Sequence, residues 1–162
     1  MGTRTDVAIK DLLKATSIGD FLTGNRENML TMNLSEYLMT LLHQKKLKRA
    51  DVIRDSHLEH AYVYQIFDGK KKPSRDKLIE IAFGLHLDVE ETQRMLRLGG
   101  CSELYARVGR DAVILFAVSR GMSIGETDEL LDANGFPTLV DPEKCKRQIY
   151  RRIKTSTLAQ KR

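Results

Sequence analysis

LKRADVIRDSHLEHAYVYQIFDGKKKP, residues 47–73, reads as two short helices joined by a tight turn and closed by Gly69, three lysines and Pro73. In the first helix Leu47, Val52 and Ile53 share one side. After a break at Ser56-His57, the second places Leu58, Val63, Ile66 and Phe67 inward. Spacings of about three, four and seven form one apolar stripe on the helical period of 3.6 residues. The opposite face carries His60, Tyr62 and Gln65, with Tyr64 at its flank. Hydrogen-bonding side chains along one helix face, followed at once by Lys70, Lys71 and Lys72, suit a base-reading helix with a phosphate clamp.

The rest of the chain reads as helices around this pair. Only three prolines, and few alternating β-branched runs, point to an all-α protein. Residues 6–31 carry Val7, Ile9, Leu12, Leu13, Ile18, Phe21 and Leu22, interrupted at Gly19 and Gly24. They are expected to form short helices that pack back on the domain, with a loose arm at the start. Asn33 with Glu36 is a reciprocal helix cap, and Leu34, Leu38, Leu41 and Leu42 follow as an inward stripe. A further helix starts at Ser74 and buries Leu78, Ile79, Ala82 and Phe83. Another opens at Asp88, with Glu91 three residues on, and ends at Gly99-Gly100. Beyond them, residues 111–120 (DAVILFAVSR) are apolar nearly all round, and a buried helix is expected there. Ser123 with Glu126 caps the next helix, which ends at Asn134-Gly135. Asp141-Pro142-Glu143 begins a last one, whose residues 144–154 are basic on all sides but one. No internal repeat is expected. The helix pair at 109–135 resembles a second helix-turn-helix in outline but lacks a basic exposed face.

The segment 63–73, V-Y-Q-I-F-D-G-K-K-K-P, resembles the I-S-x-I-E-x-G-x-x-x-P signature of the phage repressor/Cro-like (XRE-type) helix-turn-helix regulators. The match runs from about Asn33 to Gly99, and the glycine, the proline and the apolar positions fall in register across several helices. Residues 110–115, RDAVIL, also resemble a segment that follows this domain in a clostridial-type set of regulators. The resemblance implies a five-helix lambda-repressor-like domain at 33–100, preceded by short helices or an arm at 1–32 and followed by a helical extension at 101–162. Arg49 stands where family members usually carry glutamine against a DNA phosphate, and its full charge would do the same work. Ala61 falls at a place resembling a contact position. His57 replaces a frequent glycine, so positive φ is expected there. Phe67, Tyr64 and Asp68 depart from the usual acidic, serine and basic residues.

The function expected from these features is sequence-specific binding of double-stranded DNA by a repressor-type transcriptional regulator. Its contact set is Arg49, His60, Ala61, Tyr62, Tyr64, Gln65, Lys70, Lys71 and Lys72. Gln65 can grip adenine with two hydrogen bonds, His60 sits where such helices meet base edges, and Tyr62 can stack on a thymine methyl. The lysines hold the backbone and carry salt dependence without sequence information. One helix covers half a site, so a homodimer is expected, with the 111–119 helix as candidate dimer surface. The alternative is a degenerate helix-turn-helix serving as a protein-interaction module, an adaptor or antitoxin-like partner. The C-terminal extension offers a further surface for a protein.

Net charge of +5 and pI near 9.2 suit a polyanion without demanding one. Cys101 and Cys145 lack paired spacing, so reduced thiols in a cytoplasmic, nucleoid-associated protein are expected. No run is long and apolar enough for a membrane span. His43, His57, His60 and His86 have no metal-ligand spacing, and neither a phosphate loop nor a nucleophile motif occurs. No enzyme activity, metal or cofactor is expected.

Overall fold

The computed structural model describes residues 4–26 and 32–143, together with Arg147 and Lys154. The described residues form nine helices and no strand. They are α1 (Arg4–Lys14), α2 (Ile18–Gly24), α3 (Leu34–Lys45), α4 (Arg49–Ser56), α5 (His60–Phe67), α6 (Arg75–Gly84), α7 (Val89–Leu98), α8 (Gly109–Ser119) and α9 (Ile124–Ala133). No described helix is long and apolar enough to cross a membrane. The chain divides into two compact units, Met1–Thr31 and Met32–Arg162. The first contains α1 and α2, in contact with each other, with Ser17 capping α2. The basic stretch 144–154 lies outside the described residues, apart from Arg147 and Lys154.

In the second unit α6 is the central helix. Leu78 through Gly84 are buried without a break, with α4 and α7 both packed against this helix. Each fully buried Leu or Ile contributes about 1.5–3 kcal/mol. Gly84 is what allows α4 to cross so closely: a Cβ there would stand 2.7 Å from the Val52 carbonyl oxygen and 2.9 Å from the Ser56 Cβ. Local caps fix the helix starts. Asn33 and Glu36 form the expected capping box on α3, and Ser123 and Glu126 form the one on α9.

The expectation of no internal repeat is overturned. Shifting the chain by 35 positions brings α6–α7 onto α8–α9 without a gap. Arg75, Asp76, Ile79, Ala82, Glu91, Thr92, Leu96, Gly100 and Leu104 recur as Arg110, Asp111, Ile114, Ala117, Glu126, Thr127, Leu131, Gly135 and Leu139. The hydrogen bonds recur as well. His86 and Gly121 both leave their helices at positive φ, and the next residue's N–H reaches back to Ala82 in one unit and Ala117 in the other, both at 3.0 Å. Thr92 and Thr127 are fully buried, and each donates to the carbonyl of its helix cap, at 2.7 and 2.8 Å. Gln93 accepts from the Leu104 N–H, and Asp128 from the Leu139 N–H. A helix pair that cannot bury its apolar face alone stacks on its neighbour, and such stacking is the physical basis of helical repeats. The elbow between α3 and α4 follows the same local plan, with Lys46 at φ 54° and the Leu47 N–H returning to Leu42.

The two repeats are locked by crossed ion pairs. Arg75 grips the buried Asp111 through both Nη atoms, at 3.0 and 2.8 Å, and donates to the Ser102 and Glu103 carbonyls. Arg110 grips Asp76 in the same fashion, at 2.8 and 3.0 Å, and donates to the Pro137 and Thr138 carbonyls. Burial pushes the Asp111 carboxyl up, but Arg75 and the Tyr105 N–H outweigh it and hold the group below its ordinary value. The α8 helix is not buried all round as expected. Ile114, Ala117 and Val118 are covered, while Phe116 is 48 % exposed beneath the Arg120 guanidinium.

Candidate nucleic-acid interface

The helix–turn–helix of α4 and α5 is held from below. Val52, Val63, Ile66 and Phe67 are buried against α3 and α6. The Ser35 hydroxyl donates to the Phe67 carbonyl, tying the end of α5 to the start of α3. His57 takes φ 60°, the left-handed conformation expected for the turn, and the buried Ser56 hydroxyl accepts from the Leu58 N–H at 3.3 Å. Leu58 precedes α5 and is buried as expected, but the helix itself is only eight residues long.

His60, Ala61, Gln65, Lys70, Lys71 and Lys72 are exposed, and Tyr64 is 37 % exposed. Among the described residues no carboxylate pairs with Lys70, Lys71 or Lys72. The outer edge of α5 is ordered by stacking. The His60 and Tyr64 rings lie 4.5 Å apart and nearly parallel, and the Arg49 guanidinium lies 4.7 Å from the Tyr64 ring centroid. This ladder places His60, Tyr64 and Arg49 side by side, although α4 and α5 contribute them separately.

Two expected contacts sit differently from their place in the sequence pattern. Tyr62 is half-buried, not on the open face. Its ring packs on the core, the Lys71 ammonium lies 4.8 Å from the ring centroid, and burial raises the phenol's pKa. It lines a cavity of about 280 Å³ that also touches Lys77, Glu80, Val140 and Asp141, so the end of the second repeat reaches the flank of α5. Arg49 is not a free cation awaiting a phosphate. Its Nη2 donates to Asp68 at 3.0 Å, and its charge is largely offset there.

Sequence reasoning did not give the roles of three acids of this region. Asp68 restrains Arg49, and no local spacing links residues nineteen apart. Glu59 stands exposed at the start of α5 without capping it. Glu80 is 1 % exposed, and burial pushes its carboxyl up to about 7 against the opposing Lys77 ammonium at 2.8 Å. A glutamate amid the apolar run from Leu78 to Phe83 was the available signal. Among the described residues no cluster of three or more His, Cys, Asp or Glu is placed to hold a metal ion. Set against protein-family models, curated proteins and solved structures, the chain matches none of them.

Proposed function

We propose that this protein binds double-stranded DNA in a sequence-specific manner and acts as a transcriptional regulator of the repressor type. In this reading α3–α7 form a Cro/repressor-like domain, α5 enters the major groove, and two chains read the halves of a pseudo-palindrome. One observation carries it: the outer face of α5 offers His60, Ala61 and Gln65 to solvent, and three lysines without carboxylate partners follow directly. Gln65 would take adenine by two hydrogen bonds, and Ala61 would meet a thymine methyl. The lysines would grip phosphates and release counterions, so affinity would fall linearly with the logarithm of salt concentration.

The test is retention of genomic duplex fragments across a salt series. Retention should fall steeply as salt rises. Gln65→Ala should relax sequence preference by roughly 1–3 kcal/mol while leaving non-specific binding nearly unchanged. Lys71→Glu should weaken binding to all sequences alike. If neither substitution alters retention, the proposal fails.

Glu59, Asp68 and the His60–Tyr64 stack favour a second reading, in which the α5 face docks on another protein, because aromatic residues concentrate in such interfaces. Recovery of a stoichiometric protein partner that is lost on Tyr64→Ala, with no salt-dependent DNA retention, would decide for it.

A further inference from the structure

We propose that the α1–α2 unit pairs with the α1–α2 unit of a second copy of this chain. Such pairing needs no DNA, although the pseudo-palindrome of the proposed reading also calls for two chains. None of residues 6–26 is buried. Val7, Ile9, Leu12, Leu13, Ile18 and Leu22 all lie open, from 42 % to 79 % exposed. The helices have eleven and seven residues, and isolated helices are marginal in water below about 12–15. A unit of residues 1–31 also falls short of the roughly 40 residues at which a chain begins to supply its own core. Yet α1 and α2 touch and form a compact unit. What stabilises that unit comes from outside it.

The extent of this surface and its charge fit a second copy. Ile9, Leu12 and Leu13 recur at helical spacing along α1, and Ile18 and Leu22 stand one turn apart on α2. The six side chains expose on the order of several hundred Å², as much apolar surface as the largest patch of a typical monomer. Two such surfaces joined would bury on the order of 1,000 Å², enough for a specific interface. Residues 4–24 carry three basic side chains, Arg4, Lys10 and Lys14, and three acidic ones, Asp6, Asp11 and Asp20. An anionic membrane surface attracts an excess of basic residues, which this unit lacks. Balanced charge instead lets like units meet without repulsion. Asp6, Lys10 and Leu13 follow at spacings of four and three, so the two charges border the apolar face of α1. Asp6 and Lys10 stand two residues either side of Ala8. Antiparallel crossing about Ala8 therefore sets Asp6 against the partner subunit's Lys10, and two-fold symmetry repeats the pair.

The experiment is sedimentation equilibrium of the full chain without DNA, across a concentration series. The unmodified chain should be a dimer. Ile9→Glu combined with Leu13→Glu should raise the dissociation constant by at least about a hundredfold, because carboxylates would be buried without partners. Asp6→Lys and Lys10→Asp should each raise it roughly three- to tenfold. Both exchanges in one chain should restore the dimer, a rescue that only contact between copies provides. Phe116→Glu, on the exposed face of α8, should leave the dimer intact. Circular dichroism should show the same main melting transition in every variant, since none of these side chains is buried. A chain that stays monomeric overturns the pairing, and its flotation with phosphatidylserine vesicles would assign the apolar face to a membrane. A dimer lost on Phe116→Glu and kept in the Ile9→Glu, Leu13→Glu variant overturns it as well. Duplex retention, measured separately, bears on the DNA reading alone: a dimer that retains no duplex leaves this pairing standing.

Discussion

The α6–α7 and α8–α9 pairs are built to one plan and placed in different surroundings. Ile81 and Phe116 are equivalent positions, yet Ile81 is fully buried and Phe116 is 48 % exposed. Gly84, pressed against α4, corresponds to Ser119, which faces solvent. Glu80, sealed beside Lys77, corresponds to Leu115. The contrast separates two roles of a residue. Caps, elbows and the arginine grip on following carbonyls belong to the repeat itself and recur. The outer face of the first helix answers to its neighbour, and of the two first helices it is α6 that has α4 packed upon it.

The sharpest way to break this comparison is paired truncation of the outer face. Ile81→Ala should destabilise the protein by about 2–5 kcal/mol in urea unfolding, the usual range for emptying a sealed aliphatic site. Phe116→Ala should cost less than about 1 kcal/mol, since much of that ring already meets water. Equal losses would mean that the outer face of α8 is covered in solution. Next come the crossed arginines. Arg75→Ala strands the buried Asp111 carboxylate and should cost about 3 kcal/mol, whereas Arg110→Ala leaves a well-hydrated Asp76 and should cost about 1 kcal/mol. Gly84→Ala should follow at about 1–3 kcal/mol, because the obstructing atom is the Val52 backbone oxygen and cannot swing aside. Its counterpart Ser119→Ala should stay within about 0.5 kcal/mol.

A pH dependence is also expected from Glu80 in the first repeat. The Glu80 carboxyl is pushed up from 4.5 to about 7 by burial, so between these values the folded chain holds a proton that the unfolded chain has released. Stability contributed by protonated Glu80 is therefore fully present below about pH 4.5, declines as pH rises, and is gone above about pH 7. Glu80→Gln should remove that decline in unfolding midpoints measured across the window, and Leu115→Gln should introduce none. A decline that survives Glu80→Gln would assign it to another group.

Local chemistry made much of the chain legible in advance. Asn33–Glu36, Asp88–Glu91 and Ser123–Glu126 announce helix starts because a cap acts within one turn, and the left-handed turn at His57 was implied by the resemblance, in which a glycine is frequent at that place. The exposed face of α5 followed from its 3.6-residue period at His60 and Gln65. Tyr62 did not follow, because at the flank of so short a helix exposure depends on what else approaches. Here Val140 and Asp141 do, from a segment far along the chain. The repeat was readable in principle from RD at 75–76 and 110–111 and from ET at 91–92 and 126–127. It was obscured because other equivalents, such as Asp88 and Ser123, share a role and not a residue type. The Arg49–Asp68 pair could be found only in three dimensions.

The account stands on α5 presenting its outer face to a DNA groove, and amide chemical-shift mapping during titration with a short duplex of selected sequence tests that most directly. It predicts that the largest changes gather at His60, Ala61, Tyr64, Gln65 and Lys70–Lys72, while α8 and α9 stay quiet. Changes that centre on α8 and α9, or none at DNA concentrations well above those of the protein, would contradict it.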